Sequence, residues 1–245
     1  LPKLIPPKMT MVILKRPSYR AALEGYLDFI KTTTVRLEDS ALNAPLENLP
    51  KLYQLWGTLL VMVVLLEVAE KLGYSVKEEN LVRKDGGGHF VRVLPNGKPA
   101  LILIHPQSKT TVELTPEKTY GKQGDIRSIS YGKRPDISVK VQFANGTQKL
   151  YLFDPKYKLD SEQNSSTTAQ PKPKSVDIDK MHAYRDAIRD EKGNSVVEYA
   201  AILYPGNDYD YHDGLEALRA YPGKDEELKQ HLRRIFTQAL SNAKL

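Results

Sequence analysis

Between Leu52 and Leu72 the chain carries Leu52, Tyr53, Leu55, Trp56, Leu59, Leu60, Val63, Leu66 and Ala69 at helical spacing, and Val61, Met62 and Val64 fill the remaining faces. A helix apolar nearly all round is a buried one, so this stretch predicts a central helix stopped by Gly73. Three other stretches share the helical period. Leu23, Tyr26, Leu27 and Ile30 predict a helix from Tyr19 to about Leu37, behind a proline-punctuated arm from Leu1 to Pro17. Met181, Tyr184, Ala187 and Ile188 predict one from Asp177, its expected N-cap, to Arg189. Leu228, Leu232, Ile235, Phe236 and Ala239 predict an amphipathic helix from Glu226 to Leu240.

From Tyr74 to Tyr157 the period shortens to two. Strands are expected at Phe90 to Leu94, Leu101 to Ile104, Thr111 to Leu114, Ile126 to Tyr131, and in a hairpin on either side of Ala144-Asn145-Gly146. Val196 to Tyr204, ended by Pro205-Gly206, reads as a buried strand, and Asn207 to Gly214 as a polar, aromatic loop. Residues 158 to 176 are rich in Ser, Thr, Gln, Pro and Lys and predict a mobile loop. This order predicts an α/β (α+β) fold with a mixed central β-sheet flanked by helices. Residues 1 to 44 would form an N-terminal arm and helix, and residues 45 to 245 the main domain.

Composition narrows the chemistry. The chain has 245 residues, no cysteine and a net charge of +6. Disulfides, thiol nucleophiles and cysteine zinc sites are therefore excluded, and a cytoplasmic setting is expected. The longest apolar run, Leu59 to Leu66, is well short of the roughly 18 residues that suggest a membrane span. The chain opens on Leu1 rather than Met, as a piece of a longer protein would. From Lys122 to Lys158 there are eight Lys or Arg against three Asp, which points to a polyanionic partner around that segment.

Two of those three aspartates flank the hairpin. With a three-residue loop, Phe143 faces Thr147, paired residue numbers sum to 290, and Asp136 stands opposite Asp154 with Cβ atoms about 4.5 to 5.5 Å apart. Lys156 then shares the face of Asp154. A two-residue Asn145-Gly146 loop would instead pair Asp154 with Ile137 and separate the carboxylates; the three-residue loop is the expectation. Two carboxylates that close stay ionised together only around a cation, and Mg²⁺ suits one or two carboxylates plus water and phosphate oxygens. Lys156 could orient or help deprotonate an attacking water, or stabilise charge on a phosphate. An ordinary surface hairpin would use the same residues in weak cross-strand ion pairs. Pro155 removes a ladder donor and predicts an edge or bulge there.

With these elements in order, the chain resembles the PD-(D/E)XK nuclease superfamily. Arg134-Pro135-Asp136-Ile137 is similar to its first acidic motif, and Phe153-Asp154-Pro155-Lys156-Tyr157 to its acidic-x-lysine motif. Asp177 to Ile188 and Ala201 to Gly206 resemble the post-catalytic helix and strand of restriction-type domains of the DUF2357 and DUF524 group, which are similar in turn to the nuclease subunit of McrBC systems. Pro45 to Gly57 resembles that group's leading helix. The likeness implies a restriction-endonuclease-like core, Asp136 and Asp154 as metal ligands, Lys156 as the catalytic lysine, and Mg²⁺, with Mn²⁺ as a substitute. Related domains often carry an acid where this chain has Gln54. Glu67 lies about 20 Å further along the helix, so Gln54 and Glu67 are alternative accessory residues. Lys180 and Tyr184, spaced i, i+4, stand where relatives carry Gln and Tyr; Lys180 could contact a phosphate. Lys133, Arg134, Lys158 and Arg185 are candidate nucleic-acid contacts.

The leading expectation is a Mg²⁺-dependent DNA endonuclease of restriction or antiviral defence type. The alternatives are a non-catalytic nucleic-acid-binding or scaffolding module on a decayed nuclease fold, and a nuclease for RNA or for damaged or branched DNA. No P-loop is present, so the McrBC likeness would imply a separate nucleotide-hydrolysing motor. DNA and a second copy of the chain are the other expected partners, and no membrane partner is expected.

Overall fold

The computed structural model describes residues 35–37, 49–80, 82–85, 88–91, 97–157 and 172–241. In chain order the elements are β1 (Val35–Leu37), α1 (Leu49–Lys71), β2 (Ser75–Glu79), β3 (Val82–Asp85), β4 (Gly88–Val91), β5 (Leu101–Ile104), β6 (Thr111–Pro116), β7 (Ile126–Ser128), β8 (Ile137–Gln142), β9 (Gln148–Pro155), α2 (Ser175–Ala187), β10 (Ile188–Asp190), β11 (Val197–Tyr204), β12 (Tyr209–Asp210), β13 (Leu215–Arg219) and α3 (Glu226–Ser241). Eight strands form one mixed sheet in the order β12-β13-β11-β9-β8-β6-β5-β2. β9, β11 and β13 run parallel; the remaining neighbours in the sheet are antiparallel.

The sheet separates two hydrophobic clusters, and the period of two along β9 decides which residues enter each. Tyr151 and Phe153 join α1 and α3 on one face, while Leu150 and Leu152 join Ile178, Met181 and Tyr184 of α2 on the other. Asp154 continues the α2 face. Phe153 meets Phe236 of α3 edge-on at 5.8 Å, a favourable aromatic geometry. As expected, α1 is a core helix: Val61, Val64 and Leu65 are fully buried, although Leu59 and Val63 emerge on one side. By length and apolarity α1 could cross a membrane, but here its buried side chains are taken up by the core. It ends as predicted. Gly73 takes a left-handed φ of +86°, and the amides of Gly73 and Tyr74 return to the carbonyls of Glu70 and Ala69.

Several boundaries differ from expectation. The predicted helix from Tyr19 lies outside the described residues except at its end, where Val35–Leu37 is a strand parallel to β4. The β-branched run Thr32 to Val35 disfavours helix. α2 begins at Ser175 with Lys174, not Asp177, at its N-cap, so Ser175 and Val176 belong to the helix and not to the predicted loop. α2 also stops at Ala187, because Ile188–Asp190 pairs with β7. Residues 158–171 of the predicted loop lie outside the described residues. Strands β2, β3, β12 and β13 were not singled out from the sequence, and β12 sits within the predicted Asn207 to Gly214 loop.

Pro155 is neither at a sheet edge nor in a bulge, since β9 lies between β8 and β11 and the irregularity in the β9–β11 pairing is at Val197/Tyr199. The Lys156 amide donates to the Leu203 carbonyl at 2.8 Å. By strand alternation, position 155 faces the β8 side, where pairing has already ended at Ile137 opposite Phe153. The missing proline donor therefore costs no ladder bond.

Candidate active site

The hairpin has the three-residue loop. Phe143 donates its amide to the Thr147 carbonyl at 2.9 Å, Gly146 donates back to Phe143 at 3.0 Å, and Gly146 has a φ of +85°. The ladder then runs from Gln142↔Gln148 to Ile137↔Phe153, so the next pair along is Asp136 and Asp154. Both project from the α2 face at the C-terminal end of β9, where α2 crosses over to the parallel strand β11.

Four side chains meet there. Lys156 Nζ lies 2.7 Å from Asp136 Oδ2 and 2.9 Å from Asp154 Oδ2, in the range of strong charge-assisted hydrogen bonds. Lys180, from α2, reaches the same Asp154 at 3.3 and 3.4 Å, a looser contact. Its ammonium also lies 5.4 Å from the centre of the Tyr184 ring. The Tyr184 hydroxyl donates to the Arg134 carbonyl at 2.8 Å and so ties α2 to the residues that lead into Asp136.

Burial and charge set unequal states for the two acids. Burial, then the neighbouring Asp154, push the Asp136 carboxyl up to about 7, so it holds a proton in mildly acidic solution and donates it to Asp154. Burial also opposes ionisation of Asp154. The hydrogen bond from Asp136 and the charges of Lys156 and Lys180 outweigh it and hold Asp154 below the ordinary carboxylate range. For Lys156, burial disfavours the ammonium, but the two aspartates overcome that and raise its pKa. The Tyr184 phenol is raised by burial and by the same carboxylates, so it remains a donor.

This donor set fits a hard divalent cation. Two carboxylates converge on a buried point where, without such an ion, one must keep its proton. No third Asp, Glu, His or Cys joins them among the described residues. Water, a backbone carbonyl or substrate oxygens would complete the coordination, the mixture Mg²⁺ favours.

The other expected residues divide. Gln54 lies on the near end of α1, but its amide hydrogen-bonds Glu117 Oε1 at 3.4 Å and not either aspartate. Glu67 is not part of the site: it pairs with Arg233 of α3 at 3.2 Å, because it lies more than three helical turns further along α1. Lys133 exchanges both backbone hydrogen bonds with Tyr120. Arg134 extends an exposed guanidinium, 3.3 Å from Glu117. Arg185 is partly buried, and its Nε has no hydrogen-bond partner among the described residues. Lys158 lies outside the described residues.

Glu117 is the residue that sequence reasoning missed. The β6–β8 ladder ends at Pro116↔Ile137, which sets Glu117 beside Asp136, and its amide donates to the Asp136 carbonyl at 2.9 Å. Its carboxylate gathers Lys51 and Arg134, each at 3.3 Å, as well as Gln54. A φ of +48° is unusual for a non-glycine residue and marks a conformation held by its surroundings. Only the pairing of β6 with β8, distant in sequence, brings it here.

No curated protein and no solved structure matches the chain. The family model described as the PD-(D/E)XK nuclease superfamily matches residues 51–209. That span runs from the first turn of α1 to the start of β12 and contains Asp136, Asp154, Lys156 and Lys180 within a mixed sheet flanked by helices. With well over half of its length and the whole cluster inside the match, the chain belongs to the PD-(D/E)XK nuclease superfamily.

Proposed function

We propose that this protein is a Mg²⁺-dependent DNA endonuclease of restriction or defence type, acting in the cytoplasm. The observation that carries the reading is the joint contact of Asp136, Asp154 and Lys156, an arrangement that suits metal-assisted phosphodiester hydrolysis. Asp136 and Asp154 would hold the ion, with Mn²⁺ as a substitute, and the ion would supply Lewis-acid activation of water and of a phosphate oxygen. Lys156, held protonated between two carboxylates, offers positive charge and donors to the oxygens around phosphorus and is not a free base. Lys180, whose side chain is 37% exposed, would meet a phosphate at the mouth of the site. In the hydrolysis, a water oxygen bonds to phosphorus, the P–O bond to the leaving oxygen breaks, and that oxygen takes a proton.

The McrBC likeness favours a separate nucleotide-hydrolysing motor as partner, and a homodimer would allow both strands to be cut. The test is plasmid nicking with Mg²⁺ by the wild type, Asp154→Ala and Lys156→Ala. Cleavage by the wild type and its loss in both variants are expected; cleavage indifferent to both changes would overturn the assignment. One observation favours a second reading. Among the described residues no third acid joins the pair, and Gln54 is engaged by Glu117, as would suit a nucleic-acid-binding module on a decayed nuclease fold. Salt-sensitive DNA binding without cleavage under any divalent ion would decide for it.

A further inference from the structure

The loop entering the site carries an apolar tip that the proposed chemistry leaves unused. Tyr131 is 86% exposed, more than any other large apolar side chain among the described residues, and Ile129 is 65% exposed. The exposure is not fraying, because the loop is pinned along its length. The Ser128 amide donates to the Gly121 carbonyl at 2.7 Å and the Ile129 amide to the Ala187 carbonyl at 2.9 Å. The Ser128 hydroxyl donates to the Tyr131 carbonyl at 2.7 Å. Lys133 is locked to Tyr120 in both directions, and the Arg134 carbonyl is held by Tyr184. A fixed backbone therefore presents two apolar side chains to solvent.

The charge around the tip selects the kind of partner. From Arg127 to Arg134 there are Arg127, Lys133 and Arg134 and no acidic residue; Arg134 is paired with Glu117, and Arg127 and Lys133 make no ion pair among the described residues. An aromatic ring beside positive charge suits a ligand that has a flat π-face and an anionic link, which is a nucleotide. Two side chains are too small an apolar surface for a stable protein interface, which needs about 800 Å² on each partner. A base inside an intact duplex has both faces covered by its neighbours and is held by its pair, so the tip stacks on a base that is unpaired or splayed. Five residues separate Tyr131 from Asp136, so their Cα atoms are at most about 18 Å apart. That is about five base steps at 3.4 Å each.

We propose that Tyr131, supported by Ile129, is a stacking element for an unpaired nucleobase, and that the preferred substrate has single-stranded or splayed bases within a few nucleotides of the scissile phosphate. The stacking itself does not require catalysis; the position of the scissile phosphate rests on the nuclease reading above.

The experiment measures fluorescence anisotropy in EDTA with a labelled single-stranded oligonucleotide, its blunt duplex and the same duplex with one splayed end. The wild type should favour the single-stranded and splayed molecules. Tyr131→Ala should weaken binding to those two by about 5- to 100-fold, the range for losing one stacked base, and change blunt-duplex binding less than about twofold. Tyr131→Phe should bind like the wild type, and Ile129→Ser should fall between. An equal loss on all three DNAs, or none, would overturn the inference. So would a concentration-dependent wild-type dimer that Tyr131→Ala abolishes, which would assign the tip to a second copy of the chain. Mg²⁺-dependent cleavage by the wild type is scored separately. Selective binding without cleavage removes the nuclease reading and leaves this inference standing, and cleavage without a Tyr131 effect does the reverse.

Discussion

Asp136 and Asp154 stand opposite one another, one pair beyond Ile137↔Phe153, and a single ammonium, Lys156 Nζ, lies 2.7 Å from the first and 2.9 Å from the second. Asp154 is fully buried, whereas the Asp136 side chain keeps 16% of its exposure. Two like charges so placed cannot both ionise freely, and the less buried of them keeps a proton. The pair therefore holds one proton in mildly acidic solution, which a bound divalent ion would displace.

That proton gives a pH signature. With Asp136 raised from 3.8 to about 7, the fold and the unfolded chain both hold its proton below about pH 4, and between there and pH 7 only the fold does. The stability contributed by this group is thus full at low pH and is lost as pH rises towards 7. Metal-free protein melted across that window should show the decline, and Asp136→Asn should flatten it. Calorimetric titration with Mn²⁺ in buffers of different ionisation enthalpy should report about one proton released at pH 6 and almost none at pH 8.

The two lysines should separate in stability. Lys156→Ala leaves the buried Asp154 with the hydrogen bond from Asp136 and the looser Lys180 contact but without its closest cation, so unfolding in urea should show a loss approaching about 3 kcal/mol, the lower end for breaking a buried pair from one side. Lys180 is more than one-third exposed and screened by water, and Lys180→Ala should cost less than about 1 kcal/mol. Its effect should appear instead as weaker binding of nucleic acid with a shallower salt dependence.

Gly57 is a packing constraint on β9. A Cβ at this position would come within 2.8 Å of Pro155 Cγ and 3.0 Å of Pro155 Cβ. In an isolated helix Gly57→Ala would stabilise by about 1 kcal/mol. Here overpacking of about 1 to 3 kcal/mol should win, and the displaced Pro155 lies between Asp154 and Lys156. Thermal melting should show net destabilisation, and nicking activity should fall further than the melting shift alone explains.

Glu117 holds Lys51, Arg134 and Gln54, and its backbone holds Asp136. Glu117→Ala should free Arg134 and lower kcat by about 10-fold or more, the scale expected from misplacing a reacting group by a fraction of an ångström. Glu117→Gln, which keeps hydrogen-bonding capacity, should recover part of that loss. Steady-state cleavage of a short labelled substrate distinguishes this from a binding defect, which would move KM instead.

The hairpin register should be as decisive as any side chain. Deleting Phe143 while the three-residue loop Ala144-Asn145-Gly146 is kept would bring Gln142 opposite Thr147 and set Asp136 opposite Phe153, so that the two carboxylates lie on opposite faces. The deletion variant should lose cleavage entirely, and circular dichroism with proteolysis would show whether the sheet rebuilds or opens.

How much of this was legible beforehand follows from the range of each interaction. The loop Ala144-Asn145-Gly146 is local chemistry: asparagine and glycine accept the turn, and the period of two carries its register from Phe143 opposite Thr147 to Asp136 opposite Asp154. Asp136 could therefore be placed opposite Asp154 with no knowledge of the fold, and Lys156 with them. The buried helix α1 and its stop at Gly73 were equally local, read from apolar spacing and one glycine. Sequence pattern also identified α2, with Lys180 and Tyr184 on one of its faces, and β11 after it.

The rest depended on contacts between residues far apart in the chain. Glu117 follows a proline at the end of a short strand, and only the pairing of β6 with β8 sets it beside Asp136. Gln54 and Glu67 were both open as accessory residues until the packing of α1 against the sheet and α3 left Gln54 near the loop before β8 and gave Glu67 to Arg233. Pro155 reads as an edge signal in isolation, yet it sits inside the sheet because its missing donor faces the end of β8. Turn type, periodicity and helix stops arise from forces that act within a few residues. The depth of Asp154, the proton on Asp136 and the partners of Glu117 come from desolvation and charge, which exist only once distant segments have closed around them.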